Sequence, residues 1–253
     1  MTANAYNACP STCWKFQNGE ETIWIRLTVF VVSVAALVAT LSVSGATQQE
    51  EDWGEVLRTI MPAARAGDAE ARFGLGVIYE AGLGVPTDNI EALFWYRLAA
   101  EQGHAGAQFA LGASYTAGDV LPQDHELAVR WFQSAAAQGH ASAQNALASK
   151  HYLGRGVQQS YDMAAFWWRL AAEQGDVDAM HNLGNIYYLG RGVPKDDVQA
   201  YVWHAIAARE SVGTDREEHI QKYTEIAEDG MTREQITAAR KLASEWEPAS
   251  AQR

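Results

Sequence analysis

Residues 71–103 read ARFGLGVIYEAGLGVPTDNIEALFWYRLAAEQG, and the pattern of this stretch recurs along the chain every 36 residues. The recurring residues are Gly67, Gly103, Gly139 and Gly175; Ala71, Ala107, Ala143 and Ala179; Leu75, Leu111, Leu147 and Leu183; and Trp95, Trp131, Trp167 and Trp203. A unit of this length cannot bury its own apolar face and must stack on its neighbours. The sequence therefore predicts an all-α, right-handed solenoid of about four helix-turn-helix repeats with capping helices.

Each repeat is predicted to contain two helices, running in the first repeat from about Asp68 to Tyr79 and from about Asn89 to Gln102. The glycines of Gly82–Pro86 suit a helix end that needs positive φ, and the proline blocks continuation of the helix. Glu91 and Gln199 are spaced to complete capping boxes. The expected N-caps of the second helices are Asp88, Asp124, Ser160 and Asp196.

The periodic leucines and tryptophans are predicted to pack the repeats together. Ala92, Trp95, Tyr96 and Ala99 fall on one face of the second helix, where alanines let neighbouring backbones approach closely. We expect each of the four periodic tryptophans to fill the gap between hairpins, so replacing Trp131 or Trp167 with alanine should be costly.

The ends of the array read as caps. The solenoid is expected over 50–210, where 50–66 forms a half-repeat that carries Thr59 instead of the tryptophan. Capping helices are expected over 211–247, the last of them opening at Thr232 in a capping box, and 248–253 form a tail.

The amino-terminal 46 residues are predicted to direct export. Leu27–Ala46 is uncharged and mostly apolar, preceded by Arg26 and followed by acidic residues, an asymmetry that places the repeats outside the cytoplasm. We favour a signal peptide cleaved after Ala46, which would make the protein periplasmic or secreted. The alternative is an uncleaved inner-membrane anchor with periplasmic repeats.

Charge and cysteine content exclude several classes of function. The chain carries 31 acidic and 19 basic residues, a net charge of −12, without a basic cluster that could neutralise several phosphates, so nucleic acid is not an expected partner. Both cysteines, Cys9 and Cys13, precede the apolar run and lack the further ligands that a zinc site needs. We expect no metal and no cofactor.

The repeat resembles a known family. Ala-x-x-x-Leu-Gly-x-x-Tyr, then Gly-x-Gly-Val-Pro, then Ala-x-x-Trp-Tyr-x-x-Ala-Ala-Glu-Gln-Gly is similar to the Sel-1-like repeat, a relative of the tetratricopeptide repeat. Residues 71–103 match nearly throughout, whereas Val120, Ala148 and His151 depart from the pattern. The resemblance implies an interaction scaffold whose first helices line a concave groove.

Candidate contact residues follow from the helical wheel of the first helix, opposite the periodic leucine and alanine. Along the array this stripe changes from apolar to amide, imidazole and phenol side chains. The resulting candidates are Phe109, Asn145, Ser149, Tyr152, His181, Asn185 and Tyr188. The alternative interpretation is a polar face that only contacts solvent.

No catalytic pattern is present, since the chain lacks Ser-x-x-Lys, Lys-Thr-Gly, Gly-x-Ser-x-Gly and His-Glu-x-x-His. His104 and His140 are expected at exposed helix starts, and His151 and His204 in the core. The favoured function is a non-catalytic scaffold that binds a protein or peptide. The alternatives are a cell-wall hydrolase or glycan-binding protein, and a purely structural, membrane-tethered accessory protein.

Overall fold

The computed structural model of the protein describes residues 13–18, 21–26, 53–214 and 217–249. The predicted export segment 27–46 and its cleavage point after Ala46 lie outside these residues. The described part forms β1 (Cys13–Asn18), β2 (Glu21–Arg26), α1 (Trp53–Ala66), α2 (Ala69–Ala81), α3 (Asn89–Ala100), α4 (Ala105–Ala117), α5 (His125–Ala137), α6 (Ala141–Leu153), α7 (Tyr161–Glu173), α8 (Val177–Leu189), α9 (Asp197–Glu210), α10 (Glu217–Glu228) and α11 (Arg233–Glu245).

A short hairpin precedes the helices and was not predicted. Strand β1 pairs antiparallel with β2, with Cys13 opposite Arg26 and Asn18 opposite Glu21. The helical region itself is an all-α array, as predicted: α2–α3, α4–α5, α6–α7 and α8–α9 are successive hairpins of one repeating unit.

Side-chain caps begin the second helix of every repeat at the predicted residues. Asp88, Asp124, Ser160 and Asp196 each accept a backbone N–H from the first turn of their helix. The capping boxes expected at Glu91 and Gln199 are not formed, and in the described helices the box appears only at Thr232 with Gln235. Glu91 instead accepts the indole N–H of Trp95, with Nε1 and Oε1 3.0 Å apart.

The glycine-containing loop between the two helices of a repeat lies close to the preceding repeat. Gly156 has a φ of +75°, and a Cβ there would lie 2.1 Å from the backbone oxygen of His125, at the start of α5. Only glycine satisfies both the left-handed backbone and this close approach. In the second repeat Val120 takes the equivalent position, and its side chain is exposed.

The periodic leucines are buried in all four repeats, but the tryptophans are not equivalent. Trp95 and Trp203 are buried, whereas Trp131 and Trp167 are half-buried. Both half-buried rings still pack against the core clusters of the array, so they contribute to the predicted packing between hairpins with only part of each ring buried. The residue that follows each tryptophan is buried in every repeat, and this set consists of Tyr96, Phe132, Trp168 and His204.

The reason lies in the small residue that faces each of these rings across the hairpin. A Cβ at Gly76 would stand 2.4 Å from the ring of Tyr96, and one at Gly112 would stand 2.6 Å from that of Phe132. In the first, second and fourth repeats the glycine after the leucine leaves room for the ring to lie close to the first helix, and in the third repeat Ala148 takes that position.

Buried glutamines connect successive repeats. The side-chain amide of Gln108 donates to the Ala100 carbonyl at the end of α3, and that of Gln144 donates to the Ala136 carbonyl at the end of α5, both at 3.2 Å. These bonds satisfy carbonyls that a helix end leaves without an intrahelical partner.

The carboxyl-terminal helices α10 and α11 close the array. Arg209 of α9 donates to the carbonyls of Ala243 and Trp246, and the ring of Trp246 meets that of Trp203 edge to face at 6.1 Å. Both helices bury a narrow stripe against α9 and keep a charged outer face, as a capping element requires.

Candidate interaction surface

Five of the seven predicted contact residues lie inside the structure. The buried residues are Phe109, Asn145, Ser149, Tyr152 and His181, with exposed fractions from 1% at Ser149 to 7% at Tyr152. Their side chains are not available to a partner, so the predicted contact surface is wrong at these positions. Asn185 and Tyr188 are half-buried and reach the surface.

The first reason for this burial is the next repeat. Phe109 meets Phe132 of its own hairpin at 5.8 Å between ring centroids and the ring of His140, at the start of the following repeat, at 5.1 Å. Asn145 makes the polar version of this contact: its Oδ1 accepts the Trp168 indole N–H at 2.9 Å, and its Nδ2 donates to Asp176 at 3.1 Å. This position therefore packs repeats together.

Tyr152 is held by a loop of the fourth repeat. The guanidinium of Arg191 donates to the Tyr152 hydroxyl and lies 5.8 Å from its ring centroid. The same guanidinium lies 5.5 Å from the ring of Tyr161, and Trp168 packs on the inner side of Tyr152 at 5.4 Å. Tyr152 thus joins repeats three and four.

A continuous strip remains accessible on the fourth repeat, formed by Asn185, Tyr188, Leu189 and Lys195; we call it the fourth-repeat strip. Positions 185, 188 and 189 share one face of α8 by helical spacing. The Lys195 ammonium lies 5.2 Å from the Tyr188 ring centroid, and Leu189 is 39% exposed although it is a large apolar residue. Leu189 and Lys195 were not among the predicted residues, because neither stands at a helical-wheel position opposite the leucines.

The side chain of Asn185 is held in one orientation by a residue of its own helix. Its side-chain amide lies 3.2 Å from Nε2 of His181 one turn earlier, which accepts one amide hydrogen. This contact uses one of the two N–H donors of the amide, and the half-buried side chain keeps its remaining groups at the surface.

A second set of exposed apolar residues lies on the second helices, outside the predicted stripe. Phe94 and Phe166 occupy equivalent positions two repeats apart and are 52% and 49% exposed. Each packs edge to face on the neighbouring tryptophan, at 5.1 Å and 5.0 Å. Arg130 occupies the position between them, so the two phenylalanines do not form one apolar stripe.

The histidines at helix starts have a defined structural role. His104 and His140 are N-caps: Nδ1 of His140 accepts the backbone N–H of Ala143 at 3.2 Å. Burial lowers the pKa of His140 to about 4, so the ring is neutral and can act as an acceptor at neutral pH. Asp68 and Asp176 cap the corresponding helices of the first and fourth repeats.

The described residues contain a close pair of basic side chains, Lys150 and His125. No group of three or more His, Cys, Asp or Glu side chains within them is arranged to hold a metal ion. The buried Lys150 ammonium lies 3.2 Å from Nδ1 of His125, and burial lowers the pKa of Lys150 to about 8. Two neighbouring bases are not the carboxyl pair that glycoside hydrolysis uses.

None of the helices in the described ranges has the length and apolar character needed to cross a bilayer.

Comparison with known proteins agrees with the fold. The family model described as Sel1 repeat matches residues 69–104, 105–140, 141–176 and 177–212, one match for each hairpin described above. No curated protein matches the chain.

Two solved structures are similar to the described array. A Sel1 repeat protein from Oxalobacter formigenes is 29% identical with a TM-score of 0.57, over 70% of this chain and 79% of that one. A protective antigen of uropathogenic Escherichia coli with an SLR fold is 31% identical with a TM-score of 0.50. That match covers 73% of this chain but only 46% of the antigen, so this chain spans less than half of the antigen's length.

Proposed function

We propose that this chain, which belongs to the Sel1 repeat family, is a non-catalytic scaffold that binds a protein or peptide partner through its fourth repeat. Sel1 repeat proteins generally mediate protein–protein interaction. We assign the partner contact to the fourth-repeat strip, which is shorter than the stripe of contact residues expected from the sequence.

The observation that carries the proposal is the chemistry of that strip. Tyr188 supplies a large, stiff contact surface with a hydroxyl at its edge, and tyrosine is enriched among the residues that dominate binding energy. Lys195 lies over the Tyr188 ring and Asn185 is oriented by His181, so less conformational entropy is lost on binding. Leu189 adds exposed apolar area next to these groups.

The matching positions of the second repeat lack these features. Ala113 and Thr116 stand where Asn185 and Tyr188 stand, in a helix of the same length. The fourth repeat therefore differs in surface chemistry from the second on the same helical framework, and such a difference lets a repeat protein recognise a partner at one place.

We also propose that the repeats act outside the cytoplasm. The support is the apolar segment Leu27–Ala46 with its charge asymmetry. The amino-terminal sequence of the protein isolated from its native cell tests this: a start at Thr47 supports cleavage, an intact terminus in the membrane fraction supports an anchor, and an intact soluble cytoplasmic chain contradicts export.

Affinity capture with the tagged full chain tests the binding proposal. The variant Asn185→Ala with Tyr188→Thr gives the fourth repeat the side chains of the second. Phe166→Ala is the matched control, since it removes an exposed aromatic ring outside the strip. We expect the double variant to lose a partner that the wild type and the control both retain.

Binding of that partner is then measured with purified components. We expect the double variant to bind at least tenfold more weakly, equivalent to about 1.4 kcal/mol, with an unchanged circular dichroism spectrum. Equal affinity for the wild type and the double variant would exclude the strip as the contact surface.

A further inference from the structure

One slot recurs in all four repeats, formed by a residue of the first helix and the buried residue of the second. The pair is Phe73 with Tyr96 in the first repeat and Phe109 with Phe132 in the second, with ring centroids 5.7 Å and 5.8 Å apart. In the third repeat Asn145 and Trp168 form a hydrogen bond. The fourth repeat places two imidazoles there, His181 and His204, 5.1 Å apart.

The slot of the fourth repeat is covered by α10. In the first three repeats the cover is the N-cap of the next repeat, namely His104, His140 and Asp176. At the end of the array the ring of His219 lies 5.7 Å from His181, and the ring of Tyr223 lies 4.9 Å from His181 and 5.4 Å from His204. We call His181, His204, His219 and Tyr223 the histidine cluster.

Two imidazoles of the cluster, those of His181 and His204, are held in their neutral form. His181 and His204 are 2% and 1% exposed, and the Nδ1 atom of each is buried without a hydrogen-bond partner. Burial, followed by the charge of His219, lowers the pKa of His181 to about 3. Burial, followed by the charges of His181 and His219, lowers the pKa of His204 well below its usual range.

Outside the cluster, the charged side chains of α10 are bonded elsewhere or exposed. On α10, Glu217 accepts the backbone N–H of Gly213, and Glu228 accepts a hydrogen bond from Arg240 of α11. The remaining charged side chains of that helix, Glu218, Lys222 and Glu225, are exposed.

The charged side chains of α8 and α9 have contacts of their own. Asp178, one turn before His181, is buried and interacts with another group. Asp176, at the start of α8, accepts from Ala179 and Asn145. Arg209 of α9 is directed to the carbonyls of α11.

We propose that the histidine cluster makes the docking of α10 sensitive to protons, so that mild acid releases this helix from the fourth repeat while the rest of the array stays folded. A cation in the closed slot is costly because His181 and His204 are almost fully buried and their Nδ1 atoms have no hydrogen-bond partner. Release exposes the rings to water, where each takes up a proton below its ordinary pKa of about 6.5.

The remaining attachment of α10 is modest enough for this to matter. Its buried residues outside the cluster are Ile220, Thr224 and Ala227. Helix α11 is held separately, by the two bonds from Arg209 and by Trp246 on Trp203. Release of α10 would uncover the slot next to α8, the helix that carries the fourth-repeat strip.

Hydrogen exchange of the full chain at pH 7 and pH 5, corrected for the intrinsic exchange rate, tests this proposal. Between pH 7 and pH 5, two imidazoles that bind protons only when α10 is released increase the fraction of molecules with α10 released about 600-fold. One such imidazole increases it about 25-fold. We therefore expect amides of α10 to lose protection by at least a hundredfold, and amides of α4 and α5 to lose clearly less.

The variant His181→Phe with His204→Phe places two phenylalanines in the slot, as Phe109 and Phe132 are placed in the second repeat. It should remove most of the pH dependence of α10 protection, because both buried imidazoles are replaced. His181→Asn with His204→Trp imports the pair of the third repeat and serves if the first variant does not fold. His104→Asp removes a histidine elsewhere and should leave the pH dependence of α10 unchanged.

An undiminished pH dependence of α10 in either slot variant would overturn the proposal. So would a loss of protection in the wild type that is equally large in α4, α5 and α10, because that pattern indicates global acid unfolding.

Discussion

At the scale of single residues, the most deeply buried ring of each second helix belongs to the residue that follows the periodic tryptophan. The periodic tryptophan stands out in the sequence, yet the residue after it is more deeply buried in every repeat. In the first, second and fourth repeats that residue lies against a glycine of the first helix. The third repeat shows the difference in burial most clearly, because adjacent tryptophans, Trp167 and Trp168, occupy the two positions and only Trp168 is fully buried.

We predict that Trp168→Ala costs about 3–5 kcal/mol in the free energy of unfolding, because it opens a cavity and leaves Asn145 without its indole donor. Trp167→Ala should cost about 1–2 kcal/mol, since that ring is half-buried. Urea denaturation of the two variants measures the difference. An equal or larger loss for Trp167→Ala would contradict this assignment.

The N-cap at His140 predicts a stability that depends on pH. The pKa of this histidine is about 4 in the folded chain and about 6.5 when unfolded, so the neutral ring contributes fully above pH 6.5. Its contribution declines as the pH falls towards 4, because the unfolded chain binds the proton more readily.

Relative to His140→Asp, the wild type should therefore lose on the order of 1–2 kcal/mol between pH 7 and pH 5. Aspartate caps the corresponding helix at Asp68 and Asp176, so the substitution keeps an acceptor in place. Thermal denaturation at the two pH values measures the effect, and parallel curves for the two proteins would count against the neutral-cap explanation.

At the scale of elements, the turns determine how closely one hairpin follows another. Gly156 and Gly139 both have positive φ, but only Gly156 approaches a neighbouring backbone; a Cβ at Gly139 would meet nothing within 4 Å. This pair separates the cost of backbone conformation from the cost of contact between repeats.

We expect Gly139→Ala to cost about 1–2 kcal/mol, the strain of a left-handed alanine. Gly156→Ala should cost clearly more, about 3 kcal/mol or above, because the loop must also move away from His125. Chemical denaturation gives both values. Similar losses for the two variants would mean that the contact between the loop and α5 contributes little.

Most of the helical elements could be predicted from the sequence, because their determinants are local. The N-caps at Asp88, Asp124, Ser160 and Asp196 and the helix that opens at Thr232 follow from short-range rules, and the structure has them at those residues. The hairpin of β1 and β2 was missed, although Trp14, Phe16, Ile23 and Ile25 alternate around Asn18-Gly19.

The contact residues could not be predicted in the same way. A helical wheel separates two faces of one helix, but α6 has neighbours on both faces because the next repeat covers Asn145 and the Arg191 loop covers Tyr152. Which face remains open depends on how repeats stack, and that information is distributed over residues about 36 positions apart. Asn185 and Tyr188 remain accessible because they lie in the last repeat.

At the scale of the whole molecule, the described helices form an array of four hairpins that α10 and α11 cap. The carboxyl-terminal end of this array differs in chemistry from its first two repeats. The same end carries the fourth-repeat strip, the histidine cluster and the two capping helices, whereas the first two repeats fill the corresponding slot with aromatic residues. This asymmetry supports a single binding region near the carboxyl terminus.

The central claim is that a protein partner contacts the fourth-repeat strip, and site-specific photo-crosslinking tests it most directly. A photoreactive amino acid replaces Tyr188 in one sample and the equivalent Thr116 in another, each in the full chain in its native cell. We predict a discrete crosslinked partner from position 188 and none from position 116. Crosslinking of the same partner from position 116 alone, or from both positions equally, would contradict the assignment of the contact to the fourth repeat.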